Sequence, residues 1–389
     1  MLDWLIIGGG IHGTYLSLFL TKRKNTPTKG IRILDSYDQP LVLWERFTAN
    51  AGMEYLRSSH AHNLHYDPFS LITFARTLPG QPLARFIEPY ARPSLPLFRA
   101  HSQHLIERYH LRDLRLTGRA QGLTRLGDGW QVETDAGDLL ARRVVLAIGA
   151  TEQPHWPDWA QTLRAAGAPV HHLFDPSFDR ATLPAGARIV VVGGGITAAQ
   201  CAIALSVRAP GSVTLLMRHA PRIHQFDADT GWITYQHLDS FHRQSDYALR
   251  REMIRGARHR GSMPADVAAE LQKAETHDLL RRRTAAIQSA TGTQQTVTLA
   301  LEDGTSLTAD HLLLATGFEP RRPGGAWLDA AVQAYDLPVA ADGYPILNRD
   351  LCWSSGLYAV GPLAELEIGP VARNFAGIKL AAERIGEGL

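Results

Sequence analysis

Gly8-Gly9-Gly10-Ile11-His12-Gly13 stands between an apolar stretch of strand character, Trp4-Leu5-Ile6-Ile7, and an apolar run of helical character, Thr14-Tyr15-Leu16-Ser17-Leu18-Phe19-Leu20. Gly8, Gly10 and Gly13 keep the G-x-G-x-x-G spacing. A backbone that must turn tightly, approach a pyrophosphate and pack a helix against a strand needs glycine at those three points. The N-terminus of the helix then offers free N–H groups to the anion. A second strand, Ile31-Arg32-Ile33-Leu34, ends in Asp35, 22 residues beyond Gly13, where a carboxylate accepts ribose hydroxyls.

The pattern recurs far down the chain. Arg188-Ile189-Val190-Val191-Val192 leads into Gly193-Gly194-Gly195-Ile196-Thr197-Ala198, with Ala198 where a third glycine would stand. Here the second strand, Ser212-Val213-Thr214-Leu215-Leu216-Met217, ends in Arg218, and Arg222 follows. A guanidinium at that end suits the 2′-phosphate of NADP better than the bare ribose of NAD, the alternative being a solvated strand-end charge. Each half closes on an apolar strand with an A-x-G ending, Ala147-Ile148-Gly149 and Ala315-Thr316-Gly317. These features predict two dinucleotides held at once, FAD in the first site and NADPH in the second.

With 389 residues there is chain for two or three domains. The net charge of +2 gives no support to nucleic-acid or anionic-membrane binding. Cys201 and Cys352 form no C-x-x-C, so the redox-active pair of disulfide reductases is not expected. The N-terminal apolar stretch follows Asp3 and is broken by glycines, unlike a signal segment, and no apolar run reaches membrane-spanning length. Cytoplasmic residence is the expectation.

The expected fold class is α/β: two nested Rossmann-like dinucleotide-binding domains, the second inserted into the first. The FAD domain is placed at 1–164 and 318–389, the NADPH domain at 165–317. Residues 41–110, rich in aromatics, prolines and histidines, form an excursion that covers the flavin. Residues 224–282 form a helical insertion whose arginines, between Arg243 and Arg260, suit a solvated face or contact with NADPH phosphates better than a polyanion site. Alternation in Gly129-Trp130-Gln131-Val132-Glu133-Thr134 and in Thr296-Val297-Thr298-Leu299-Ala300-Leu301 predicts a hairpin before each A-x-G strand. Near the C-terminus, Gly356-Leu357-Tyr358-Ala359-Val360-Gly361 reads as a buried strand. Gly369-Pro370 opens a helix over 375–385, with Pro370 in its first turn and Asn374 placed to hydrogen-bond flavin or nicotinamide.

Over essentially its full length the chain resembles the two-dinucleotide-binding flavoproteins. It is most similar to the class B flavin monooxygenases, in particular the lysine/ornithine N-hydroxylase-like branch. Met53-Glu54-Tyr55-Leu56-Arg57-Ser58, followed by Asp67-Pro68-Phe69-Ser70, is similar to the stretch those enzymes lay beside the flavin. Val170-His171-His172-Leu173-Phe174 lies where they carry an H-S-x-x-Y/F segment. The chain departs from the pattern too. Pro362 follows Gly361 where disulfide-reductase-like flavoproteins have an Asp that holds the ribitol, Leu173 replaces a Ser, and Gln225-Phe226-Asp227 replaces the Asn-Glu pair of N-hydroxylases. The resemblance therefore carries the cofactors but not amine hydroxylation in particular.

The expected cofactor contacts are Gly8, Gly10, Ile11, His12, Gly13, Asp35, Trp44, Met53, Leu56, Gly149, Gly361, Pro370 and Asn374 for the flavin nucleotide. For NADPH they are Gly193, Gly195, Ile196, Thr197, Ala198, Arg218, Arg222 and Gly317. Arg57, His60, His62, Asn63 and Asn374 are the candidate catalytic residues. The His60-x-His62-x-x-His65 spacing needs no metal, since no carboxylate or Cys spacing completes a ligand set. What the resemblance implies is hydride transfer from NADPH to FAD, addition of oxygen at flavin C4a and oxygen transfer from the (hydro)peroxide to a small nucleophilic substrate. The partners are thus a small molecule and molecular oxygen, with a homo-oligomer left open. Two alternatives share the cofactors: an NADPH-dependent flavin reductase or oxidase serving a quinone, a protein partner or oxygen, and an FAD-binding redox-sensing or assembly module without turnover.

Overall fold

The computed structural model describes residues 1–388. Leu2–Ile7, Ile31–Asp35, Arg115–Thr117, Leu139–Leu146 and Leu357–Ala359 form the parallel part of one sheet, with Leu2–Ile7 between Ile31–Asp35 and Leu139–Leu146. Ile189–Val192 lies at the centre of a second, wholly parallel five-stranded sheet, flanked by Val213–Met217 and His311–Leu314. Both central strands are apolar on every residue facing the core, as a strand covered on two sides requires. Two Rossmann-like folds are thus present, and the first is discontinuous in sequence.

Each fold carries an antiparallel meander, Ala120–Leu126 with Gly129–Thr134 and Leu139–Leu146 in the first, Ile287–Gly292 with Val297–Leu301 and Ser306–Ala309 in the second. The alternation marked the middle strand of each meander, Gly129–Thr134 and Val297–Leu301. It missed the first, because Ala120–Leu126 and Ile287–Gly292 are largely solvated and carry little apolar signal.

The chain crosses between folds at two paired segments. His155 N–H donates to the Gly317 carbonyl, Glu319 N–H donates to that of Gln153, and Pro154 bridges Phe318. The helix Asp158–Ala165 packs through Ala160 and Leu163 on the second core, so the first crossing lies at 153–155 rather than at 165. Phe174 stacks on Phe318 at 4.8 Å and closes the junction.

The insertion divides between the two folds. Ala265–Thr276 packs on Ile196–Arg208 in the second fold, through Val267 and Leu271. Tyr235–Arg243 and Tyr247–Ala257 cross to the first, where Trp232, Leu238, Phe241 and Ile254 join its core. The arginines of 243–260 divide: Arg243, Arg255 and Arg260 are exposed, as a solvated face requires, and the others are not. Arg251 and Arg258 turn inward onto Glu365, which is fully buried and also takes Arg373, while Arg250 pairs with Glu367 at 3.2 Å. An apolar helix face that buries itself takes its neighbouring cations along, and they persist there only when paired.

The excursion is tied to the second fold by a residue that its sequence does not mark. Asn50, 1% exposed near the end of the helix Val42–Ala51, donates to the carbonyls of Leu173 and Phe178 and accepts from Arg180 N–H. Asn50→Ala leaves three backbone groups without that partner and is expected to destabilise the protein by about 1–3 kcal/mol. Faster amide exchange at Arg180 would accompany the lower unfolding midpoint, and an unchanged exchange rate would refute the tie.

Candidate functional site

At the first turn, each glycine answers a separate steric demand. Gly8 has φ +108° and sits against the Ala147 carbonyl, and a Cβ on Gly13 would lie 1.8 Å from the Gly8 oxygen. Helix and strand therefore approach as closely as the spacing implied. Gly10 differs, because a Cβ there would meet nothing within 4 Å. It is the exposed, uncapped N-cap of Ile11–Leu18, so the first N–H groups of the helix look into open space.

Asp35 stands beside this turn at the end of its strand. Its carboxylate accepts from Gly9 N–H and Tyr37 N–H and pairs with Arg115 at 3.3 Å. Arg115 has a side chain only 3% exposed, lies over Gly9 and also donates to the Tyr37 carbonyl. The sequence analysis missed it, because one basic residue at the start of a short strand carries no motif. A cleft of about 1420 Å³ opens here and runs from Asp35 and Gly118 past Gly8 and Gly149 to Trp156 and Trp327. It exceeds the roughly 300–1,000 Å³ of ordinary small-molecule sites, as a dinucleotide requires. Gly149 and Gly317 both take positive φ, +66° and +83°, where the A-x-G strands turn away.

The second turn repeats the arrangement with one difference. Gly193 is hemmed in by the Ala315 carbonyl and the Ala198 Cβ, and Gly195 caps Ile196–Arg208 without a side-chain partner, as at the first turn. Thr197 lies in the first turn of that helix. Here, though, the turn is overlaid: a Cβ on Gly194 would stand 3.0 Å from the His219 ring, and one on Gly195 would stand 3.3 Å from Gly261. Arg218 is exposed and makes no ion pair among the described residues. Arg222, also exposed, reaches only the Arg260 carbonyl at 3.5 Å.

The excursion residues separate into two groups. The first is an apolar cluster: Trp44 meets Phe98 at 5.1 Å, Phe98 meets Phe375 at 5.4 Å, and Met53 and Leu56 pack with them. The second group holds the catalytic candidates, and none of them lines the large cleft. Arg57 donates to the carbonyls of His224 and Gln225 and to Ser262 Oγ, which ties the excursion to the insertion. Asn63 is buried with its amide turned onto its own loop: it donates to the carbonyls of His60 and Pro68 and accepts from His65 N–H. His65 accepts from Asp67 N–H and meets the Tyr109 hydroxyl. His62 is half-buried, and burial lowers it to about 4, with the nearby Lys379 acting in the same direction. Lys379 donates to the His65 carbonyl, and burial lowers it to about 8.

The C-terminal segment also differs from its expected form. Pro370 opens a separate 3-10 turn, Pro370–Arg373, and the helix is Phe375–Glu387, capped by Asn374 through a bond from Gly377 N–H to Oδ1. Asn374 is extended there, the ordinary backbone of an N-cap residue. The Pro370 carbonyl accepts from Arg258, so the arginine network holds this segment in place.

Two nested dinucleotide-binding folds, each with a glycine turn at the C-terminal edge of a parallel sheet, define the class of the protein. The profile of a family described as FAD dependent oxidoreductase matches residues 188–346. No curated protein matches the chain. Among solved structures, the ornithine hydroxylase PvdA of Pseudomonas aeruginosa is 17% identical with a TM-score of 0.75, covering 100% of this chain and 98% of that one. The L-lysine 6-monooxygenase of Pseudomonas syringae is 19% identical (TM-score 0.74, coverage 100% and 99%). DfoA, the cadaverine monooxygenase of Erwinia amylovora, is 15% identical (TM-score 0.73, coverage 100% and 95%). The chain therefore shares the fold of these hydroxylases and monooxygenases along its length. No helix among the described residues is long and apolar enough to cross a membrane.

Proposed function

We propose that this protein is an FAD- and NADPH-dependent monooxygenase that oxygenates a small nucleophilic substrate, at nitrogen or sulfur. The observation that carries the reading is the pair of uncapped glycine-turn helices, each at the edge of its own parallel sheet, in a fold shared over its full length with amine hydroxylases. Bound FAD would supply hydride acceptance and oxygen activation. The residues present fit it: open space at Gly10, a carboxylate at Asp35 and a cleft of dinucleotide size.

The first fold, on both flanks of the crossing, is the FAD domain, and the inserted fold is the NADPH domain. Arg218 and Arg222 are exposed on the second fold, near a turn whose helix N-terminus is uncapped, as binding of a 2′-phosphate and a diphosphate requires. His62 and Lys379 stand on the flavin-covering side, where burial keeps the His62 ring neutral at physiological pH while Lys379, lowered to about 8, still carries most of its charge. The aromatic set Trp44, Phe98 and Phe375 excludes water from the same side.

The test is to mix the FAD-loaded protein with NADPH in aerated buffer, with ornithine, lysine, cadaverine, thioethers and ketones in turn. Oxygenated product in proportion to NADPH consumed is expected for at least one substrate. Hydrogen peroxide alone across the whole panel would point to the reductase or oxidase reading, and absence of NADPH oxidation to a binding module.

A further inference from the structure

His12 is the second residue of the helix that opens at the first glycine turn, and the residue is 9% exposed. Nε2 lies 3.2 Å from the carbonyl oxygen of Asn374. A carbonyl only accepts, so the proton sits on Nε2, and in a neutral ring Nδ1 is then a lone-pair acceptor. Burial lowers His12 to about 4, which keeps the ring neutral at working pH. Nδ1 has no partner among the described residues and is not sealed off as Nδ1 of His60 is. It points toward Gly361, since a Cβ on that residue would stand 2.7 Å from it. Gly361 has φ +68°, and Pro362 after it brings neither an N–H nor a side-chain acceptor.

Sheet order fixes what passes this atom. Asp35 ends the strand on one side of Leu2–Ile7, and Gly361 follows a strand on the other. A dinucleotide lying across this edge, with its nucleoside sugar at Asp35 and its diphosphate at the helix N-terminus, sends its second half toward Gly361. In FAD that half begins with a chain of hydroxyls, each a donor in need of an acceptor.

We propose that His12 Nδ1 accepts a hydrogen bond from a ribityl hydroxyl of FAD, and that Gly361 must lack a side chain so that the ring can reach the cofactor. This rests on FAD occupying the first fold. It assigns to an imidazole on the glycine-turn helix a role that the Gly361-Pro362 turn has no group to fill.

The apoprotein of the full chain is titrated with FAD and with ADP, which has the adenosine and diphosphate but no polyol. His12→Leu is expected to weaken FAD about five- to tenfold, the worth of one hydrogen bond, and to leave ADP within about twofold of wild type. His12→Asn, whose side-chain oxygen can take the place of Nδ1, is expected to restore most of the FAD affinity. Equal weakening of FAD and ADP overturns the proposal, because His12 would then only shape the turn. Wild-type FAD affinity in His12→Leu overturns it as well. ADP binding doubles as a check on folding, and if His12→Leu does not fold, His12→Ala is read in the same two titrations. A wild-type protein that binds ADP but not FAD overturns the cofactor reading itself, a result distinct from any change among the variants.

Discussion

Glu365→Gln is expected to destabilise the protein by about 3–5 kcal/mol, the usual consequence of removing one member of a buried ion network. Glu365 is 0% exposed and accepts from Arg251, Arg258 and Arg373. Burial by itself would push its carboxyl up, but Arg258 and Arg373 outweigh burial and hold it at about 2. With the charge gone, Arg258 and Arg373 keep no carboxylate partner in the network, while Arg251 retains Asp342 at 2.6 Å. Such a loss is a large share of a total stability of roughly 5–15 kcal/mol. It also loosens the Pro370–Arg373 turn, so FAD retention should fall together with the urea midpoint. A midpoint shift worth less than about 1 kcal/mol would mean that water replaces the lost charge and that the network is not structural.

Acidification from pH 7 to pH 5 is expected to lower stability by about 3–6 kcal/mol through buried neutral histidines. Burial lowers His12 and His172 to about 4 and His101 to about 3, and all three are at most 9% exposed. The ordinary value is 6.5. Between about 6.5 and 4 the unfolded chain therefore binds protons that the folded chain does not, and stability falls as pH falls through that window. Above about pH 7 these groups contribute no slope. Each accounts for on the order of 1–2 kcal/mol over the two units. Hydrogen bonding agrees for His172: Nδ1 accepts from Phe174 N–H and Nε2 faces Thr316 Oγ1, whose hydroxyl donates to the His155 carbonyl. Protonation of Nδ1 removes the acceptor for Phe174 at the junction of the two folds. Thermal midpoints recorded from pH 8 to pH 5 test this. A flat profile below pH 6.5 would refute burial as the controlling effect.

Much of the fold was legible because its local demands are backbone demands. Gly8, Gly13 and Gly193 occupy positions where a Cβ collides with neighbouring backbone, and the apolar strands before them have both faces covered, so residue type reports geometry directly. The candidate site was less legible. Arg57 and Asn63 are of catalytic type and sit in a suggestive stretch, yet their polar groups are engaged by the insertion and by their own loop. Composition names which groups are available. It does not say which carbonyl lies within 3 Å.

The arginine-rich stretch shows the same division. Its surplus of positive charge in 243–260 was visible, whereas Glu365 and Glu367, in an apolar segment more than a hundred residues away, carried no motif that joined them to it. Their pairing depends on two insertion helices leaving the second fold for the first, which follows from the apolar residues Leu238, Phe241 and Ile254 finding a core there. The sequence by itself determined the two nucleotide folds and their order, because glycine turns and strand periodicity are set by contacts close along the chain. Only the tertiary structure decided that Asp35 is met by Arg115, that Asn50 ties the folds and that His12 faces Gly361, because each joins segments whose proximity no local periodicity encodes.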